Sequence, residues 1–89
     1  MATVTNSWII DASKNDTTVF AALKLPRMVT LRVAVGPVVV TFVDAGTVLS
    51  TSTVPDGGAV SAFAISCNVK RVGGNLPLSG EYDIEAPSN

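Results

Sequence analysis

Histidine is absent from this sequence of 89 residues, and Cys67 is its only cysteine. Without histidine, the Ser-His and Cys-His nucleophile pairs and the His-containing metal sites have no members. One cysteine cannot close a disulfide within the chain, nor supply the four N and S ligands of a structural zinc site. We therefore expect no cofactor and no metal, and we expect Cys67 to be a small buried hydrophobe.

Charge is scarce as well. Charged residues make up 15% of the chain, whereas roughly a quarter is usual. The net charge is -1 and there is no basic run, so the attraction that nucleic acid binding requires is missing. A domain this small is marginally stable alone, and neutral, partly apolar surfaces suit subunit contacts. These features predict a homo-oligomer, or docking on a larger assembly.

Targeting and membrane-spanning patterns are also missing. The start, MATVTNSWIID, has no basic n-region and no long apolar h-region, which predicts that it is not a Sec signal. The apolar stretches are interrupted by Thr, Gly, Pro and charged residues, so none is expected to span a membrane. An unpaired cysteine fits synthesis in a reducing cytoplasm.

What the sequence does contain is strand-like alternation. Short alternating segments recur about every 8–12 residues with turn residues between them, which predicts an all-β antiparallel sandwich or barrel of about six or seven strands. Residues 1–12 are expected to form an N-terminal arm or first strand, residues 13–86 the β-domain and residues 87–89 a tail. Residues 17–25 fit a strand or a short helix capped by Asp16, and the surrounding strands favour a strand.

In three segments, the pattern of polar and apolar residues predicts which faces of the strand are buried. Residues 38–45 are apolar on both faces, which is typical of a strand in a sandwich core or under a neighbouring subunit. Residues 47–54 are half polar on both faces and fit an exposed or edge strand. Residues 59–72 are predicted to form the longest strand. Its predicted core face carries Phe63, Ile65, Cys67 and Val69.

The last predicted strand, residues 81–86, follows a predicted loop over residues 73–80. Its outward face carries three carboxylates, Glu81, Asp83 and Glu85. Side chains two apart on a strand lie about 7 Å apart, so two of these could share a calcium ion if a loop added carbonyls. The simpler interpretation is an acidic face that keeps the strand soluble or meets a basic patch on a partner.

The loop Pro55-Asp56-Gly57-Gly58 raises the question of phosphate binding. A P-loop needs a Lys-Ser/Thr pair and a helix after its glycines, and here a strand follows. The loop is therefore predicted to be a corner between two strands.

The candidate contact residues lie at the two ends of the chain. They are Trp8, Ile9 and Ile10 in the arm, with Tyr82 and the carboxylates of Glu81, Asp83 and Glu85 as secondary candidates. A Trp at such a place more often fills a pocket, in a neighbour or in its own domain, than stacks on a sugar. The alternative function is a carbohydrate- or calcium-binding β module of a fibre or receptor-binding component. Catalysis by a carboxylate pair is the least supported one.

The order of segments carries a family likeness. A run VTLRVAVGPVVVTF is followed by a Thr/Ser-rich edge, PDGGAV, a strand and VGGNLPLSGEYDIEA. This order resembles the small all-β head proteins of tailed bacteriophages, which decorate or cement the capsid. The resemblance implies a non-enzymatic virion protein on the capsid surface, often a trimer or dimer, that clamps the major capsid protein. It implies no particular binding residue.

Overall fold

The computed structural model describes residues 3–20, 22–44 and 46–85. In these ranges the chain forms eight strands, where six or seven were predicted: β1 Thr3–Ile10, β2 Asp16–Thr18, β3 Arg27–Val35, β4 Val38–Asp44, β5 Thr47–Val54, β6 Ala59–Ala64, β7 Ser66–Arg71 and β8 Leu78–Glu85. Within the same ranges, no helix has the length and apolar character needed to cross a membrane. The predicted all-β fold class is confirmed.

The strands pair like one long hairpin folded back on itself. β4 pairs with β5, β3 with β6, β2 with β7 and β1 with β8, all antiparallel. Two further pairings, β3 with β8 and β4 with β7, join these pairs into two four-stranded sheets. Sheet A has the order β1-β8-β3-β6, and sheet B has the order β2-β7-β4-β5. This arrangement is a jelly roll, one form of the predicted sandwich.

The hydrophobic core lies between the two sheets. Successive side chains of a strand point to opposite faces, so every second residue is directed inward. The largest fully buried side chains come from both sheets: Phe42, Ile10, Leu31, Val29, Val38, Val40, Val69 and Cys67. Burial of one such aliphatic or aromatic side chain stabilises the fold by roughly 1.5–3 kcal/mol relative to leaving it exposed.

The segment predicted as one long strand, residues 59–72, forms two strands in different sheets. β6 belongs to sheet A and β7 to sheet B, with only a bend at Ile65 between them. The inner faces of the two sheets point toward each other, so a chain that crosses between them reverses which residues point inward. Ala64 is therefore buried in β6, and Cys67 is buried in β7. The prediction that Phe63 lies in the core is wrong, because its side chain is 58% exposed.

Other segment predictions are met in part. Only the start of residues 17–25 belongs to a strand, β2, and Phe20 after it packs against the core without forming a helix. The loop predicted over residues 73–80 is shorter, because β8 begins at Leu78. The edge prediction for residues 47–54 is confirmed, since β5 is the outermost strand of sheet B.

Residues 55–58 form the predicted corner between β5 and β6. Gly57 has a φ of 76°, in the left-handed region that favours glycine. Its N–H donates to the backbone oxygen of Val33 at 2.8 Å, and the N–H of Gly36 donates to Asp56 Oδ1 at 2.6 Å. The polar groups of the corner thus bind the end of β3 and the turn after it.

Candidate functional site

The predicted arm contributes the first strand of sheet A, and its largest side chain enters the domain's own core. Trp8 is 4% exposed, and its Nε1–H donates to the backbone oxygen of Arg32 at 3.2 Å. Gly80 on β8 leaves room for the ring, because a Cβ there would lie 2.7 Å from Trp8 Cζ2 and would also contact that same oxygen. Ile10 is buried as well, whereas Ile9 is 55% exposed. A contact between this part of the strand and a partner would therefore use Ile9.

The acidic residues of β8 meet a cation of their own chain on the outer face of sheet A. Arg32 Nη2 lies 2.9 Å from Asp83 Oδ1 and 3.9 Å from Glu81 Oε1. The Thr5 hydroxyl donates to the same Asp83 oxygen at 2.7 Å, and Glu85 is half-buried at the end of the strand. No group of three or more His, Cys, Asp or Glu side chains that could hold a metal occurs in the described ranges. Arg32 thus supplies the positive charge that a shared calcium ion would have provided.

Tyr82 lies on the inner face of sheet A and is buried. Its ring centroid lies 5.4 Å from that of Phe20, with a tilt of 30° between the rings. Aromatic pairs at this separation stabilise a core beyond their buried area. Trp8 is buried too, so neither Trp8 nor Tyr82 presents a free ring face to solvent on which a sugar could stack.

Arg71 is a buried cation that the sequence did not single out. Its guanidinium donates to the backbone oxygens of Lys14 at 2.8 Å, Leu76 at 2.6 Å and Asp11 at 3.0 Å. These acceptors belong to the connection between β1 and β2 and to the one between β7 and β8. Hydrogen bonds from an ionised donor are stronger than neutral ones, so Arg71 holds the two connections together.

Cys67 is a poor candidate for chemistry. Its thiol lies in the core, and burial raises the pKa of Cys67 to about 12. The thiolate is the reactive form, and at neutral pH its population is negligible. The predicted role as a small buried hydrophobe is confirmed by its position.

The two edges of sheet B carry features that discourage pairing with another strand. β2 is three residues long and begins with the charged Asp16. β5 has a bulge, because its register with β4 shifts so that Ser50 faces Phe42 and Val48 faces Val43. Short length, charge and bulges are the means by which natural proteins protect exposed edges.

The two edges of sheet A lack these features. β1 and β6 contain no charged residue and no proline, and each pairs with its inner neighbour without a shift of register. In the part of the chain that the structure describes, no strand lies beyond either of them. Each edge therefore presents a row of backbone N–H and C=O groups that can pair with another strand.

An exposed apolar pair lies beside one of these edges. Phe63 on β6 faces Met28 on β3 across the outer face of sheet A, and both side chains are exposed. Aromatic residues and methionine are enriched at protein interfaces. The pair thus adds apolar contact area next to the β6 edge.

The comparisons with known proteins concern the fold. No protein-family model matches this chain, and no curated protein matches it. A solved structure from work described as "Bacillus endospore appendages form a novel family of disulfide-linked pili" aligns with a TM-score of 0.64 and 19% identity, over 93% of this chain and 80% of that one. At this identity the match shows that the two chains share a fold. It agrees with a small all-β protein and does not bear on capsid decoration.

Proposed function

We propose that this chain is a non-enzymatic structural subunit that assembles with copies of itself through the edges of sheet A. The observation that carries the proposal is that β1 and β6 are both regular, uncharged and open. Monomeric β-proteins protect such edges, and sheet B of this chain does so. Two unprotected edges in one sheet are expected where a neighbouring subunit covers them.

The position of these edges favours a head-to-tail contact. β1 and β6 lie on opposite sides of sheet A, so β6 of one copy can meet β1 of the next. The second copy then has its own β6 free for a third. A heterologous contact of this kind gives an open filament unless its rotation closes a ring. Because β-sheets twist, we expect successive copies to be rotated and the filament to be helical.

The fold likeness supports the proposal, because the solved neighbour comes from appendages described as disulfide-linked pili. This chain differs from that description in the cysteines it has available for disulfide links. Cys67 is its only cysteine and is buried in the core, and one cysteine per copy can join two copies at most. We propose that copies of this chain associate without disulfides, through backbone pairing and side-chain packing at the sheet edges.

Capsid decoration, which the sequence resemblance implies, is a second proposal that the same edges support. An extended segment of another protein can add to an open sheet edge as an extra strand, so β1 or β6 could pair with a shell subunit. The chain would then lie on the virion capsid and would be a monomer, dimer or trimer in solution.

Sedimentation velocity and negative-stain electron microscopy of the purified protein, over a range of concentrations, test the two proposals. Self-assembly predicts filaments whose amount rises with concentration and does not fall on addition of a reducing agent. A monomer at every concentration contradicts self-assembly. Binding of that monomer to purified capsid shells would then favour decoration.

A further inference from the structure

We infer that β6 of one copy pairs antiparallel with β1 of the next, with Ser61 beside the next copy's Thr5 and Ala59 beside its Ser7. The inference rests on the proposed self-assembly and specifies which backbone atoms and side chains form the joint. It follows from the direction of the strands, from the register within sheet A and from the side chains that the register brings together.

The strand directions favour this joint. Sheet A has four strands, and each is antiparallel to its neighbour. Its two edge strands, β1 and β6, therefore run in opposite directions. A second copy displaced along the sheet keeps its orientation, so its β1 runs antiparallel to β6 of the first copy. The joint thus continues the pattern already present inside the sheet.

The register inside the sheet predicts the register of the joint. Residues that face each other across neighbouring strands form straight rows over all four strands. One row consists of Thr5, Asp83, Thr30 and Ser61, and the next on the same face consists of Ser7, Glu81, Arg32 and Ala59. Extending these rows into a second copy places Ser61 beside Thr5, and Ala59 beside Ser7.

The side chains brought together in this register are compatible on both faces. On the outer face two hydroxyls, those of Ser61 and Thr5, become neighbours, and such cross-strand pairs stabilise sheets. On the inward face, the row of Val29 brings Ala62 beside Val4 of the next copy. Val4 is exposed in the single copy and would be covered there. No pair in these rows places like charges opposite each other.

Disulfide trapping tests the register. Thr5→Cys and Ser61→Cys are prepared as single variants, and Cys67 is kept because it is buried. Within one copy the two positions are three strand spacings apart, roughly 14 Å at about 4.8 Å per spacing. A disulfide needs Cα atoms within about 7 Å, so the two positions are too far apart to be linked within one copy. Each variant also carries only one of the two new cysteines, so a cross-link between the two positions must join two copies. A mixture of Thr53→Cys and Ser61→Cys is the control, since Thr53 lies at the edge of sheet B.

We expect an equal mixture of Thr5→Cys and Ser61→Cys, assembled and then mildly oxidised, to give a heterodimer several-fold more abundant than either homodimer or the control heterodimer. Filaments that give no such heterodimer, or that give mainly the Ser61→Cys homodimer of a two-fold β6–β6 contact, would overturn the joint and leave the proposed function standing. Absence of assembly by the wild-type protein, measured by sedimentation before oxidation, would overturn the proposed function and the joint with it.

Discussion

Replacement of Trp8 by alanine distinguishes a core role from a partner-contact role for the first strand. The ring is almost wholly buried between the sheets, and its Nε1–H is bound to the backbone oxygen of Arg32. Truncation of a buried tryptophan to alanine lowers the free energy of unfolding by about 3–5 kcal/mol. Small domains have a total of roughly 5–15 kcal/mol. We therefore expect Trp8→Ala to lose a large part of the stability of the monomer.

The assay is urea unfolding followed by circular dichroism, at a protein concentration below that of assembly. With a slope of about 1–3 kcal/mol per molar urea for small proteins, the midpoint should fall by at least ~1 M. The neighbouring positions supply matched controls. Ile10→Ala should lower the free energy of unfolding by about 2–5 kcal/mol because Ile10 is buried. Ile9→Ala should change it by about 0.5 kcal/mol or less, because Ile9 is exposed.

In a strand with one face in the core, the effects of the three substitutions should alternate along the sequence: large at Trp8, small at Ile9 and large at Ile10. A Trp8→Ala variant with wild-type stability that no longer assembles would refute the placement of the ring in this chain's core. It would assign Trp8 to a neighbour's pocket instead. Because Trp8 is the only tryptophan, its fluorescence gives a second readout. A buried indole should emit at shorter wavelength in the native monomer than after unfolding.

Three further predictions concern single residues away from the edges. Gly80→Ala should lower the melting temperature sharply, because the new Cβ would meet Trp8 and the backbone of β3. Overpacking of this kind typically costs about 1–3 kcal/mol or more. Differential scanning calorimetry measures the melting temperature, and an unchanged value would contradict the prediction. Burial raises the pKa of Cys67 from 9.0 to about 12, so the native state keeps the thiol proton while the unfolded state loses it. The stability that this pKa difference contributes is fully present below pH 9 and is lost as the pH rises from 9 toward 12, by up to about 1.4 kcal/mol per pH unit. Urea unfolding of wild type and Cys67→Ala as a function of pH should show this extra loss for wild type alone. Parallel pH profiles of the two proteins would contradict the prediction. Arg71→Met should remove three hydrogen bonds to the connections around Lys14 and Leu76. Amide hydrogen exchange in both connections should therefore increase. Unchanged exchange in both would refute the role of Arg71 in holding them.

The sequence predicted features that depend on local alternation. The strand around Val38 and Val40 has apolar residues on both faces and lies inside sheet B, and the half-polar strand after it lies at the edge. In each case the local pattern was sufficient, because a strand that stays in one sheet keeps the same residues inward along its length.

Features that depend on the order of strands could not be predicted in this way. The face exchange at Ile65 occurs because the chain changes sheets there, which no local period shows. Phe63 was therefore assigned to the core when it lies at the surface. Whether an uncharged strand is an open edge depends on what lies beside it, and β1 and β6 become edges only through the pairings of distant segments. The three acceptors of Arg71 likewise come from connections far apart in the sequence.

A pair of double variants tests whether copies of this chain join through β1 and β6 in the stated register. Ser7 and Ala59 are both exposed, so a longer side chain at either position can extend into solvent. The variant Ser7→Lys with Ala59→Lys places two cations beside each other across the joint. The variant Ser7→Lys with Ala59→Glu places opposite charges there, next to Glu81 and Arg32 of their own rows.

The measurement is the concentration at which each double variant begins to assemble, determined by sedimentation. The formal net charge of the wild type is -1; the Lys/Glu variant keeps that value and the Lys/Lys variant reverses its sign at equal magnitude, so overall repulsion is matched. Thermal melting of the monomers controls for folding. We expect the Lys/Glu variant to assemble at a clearly lower concentration than the Lys/Lys variant. Equal assembly concentrations, with both monomers folded, would contradict it.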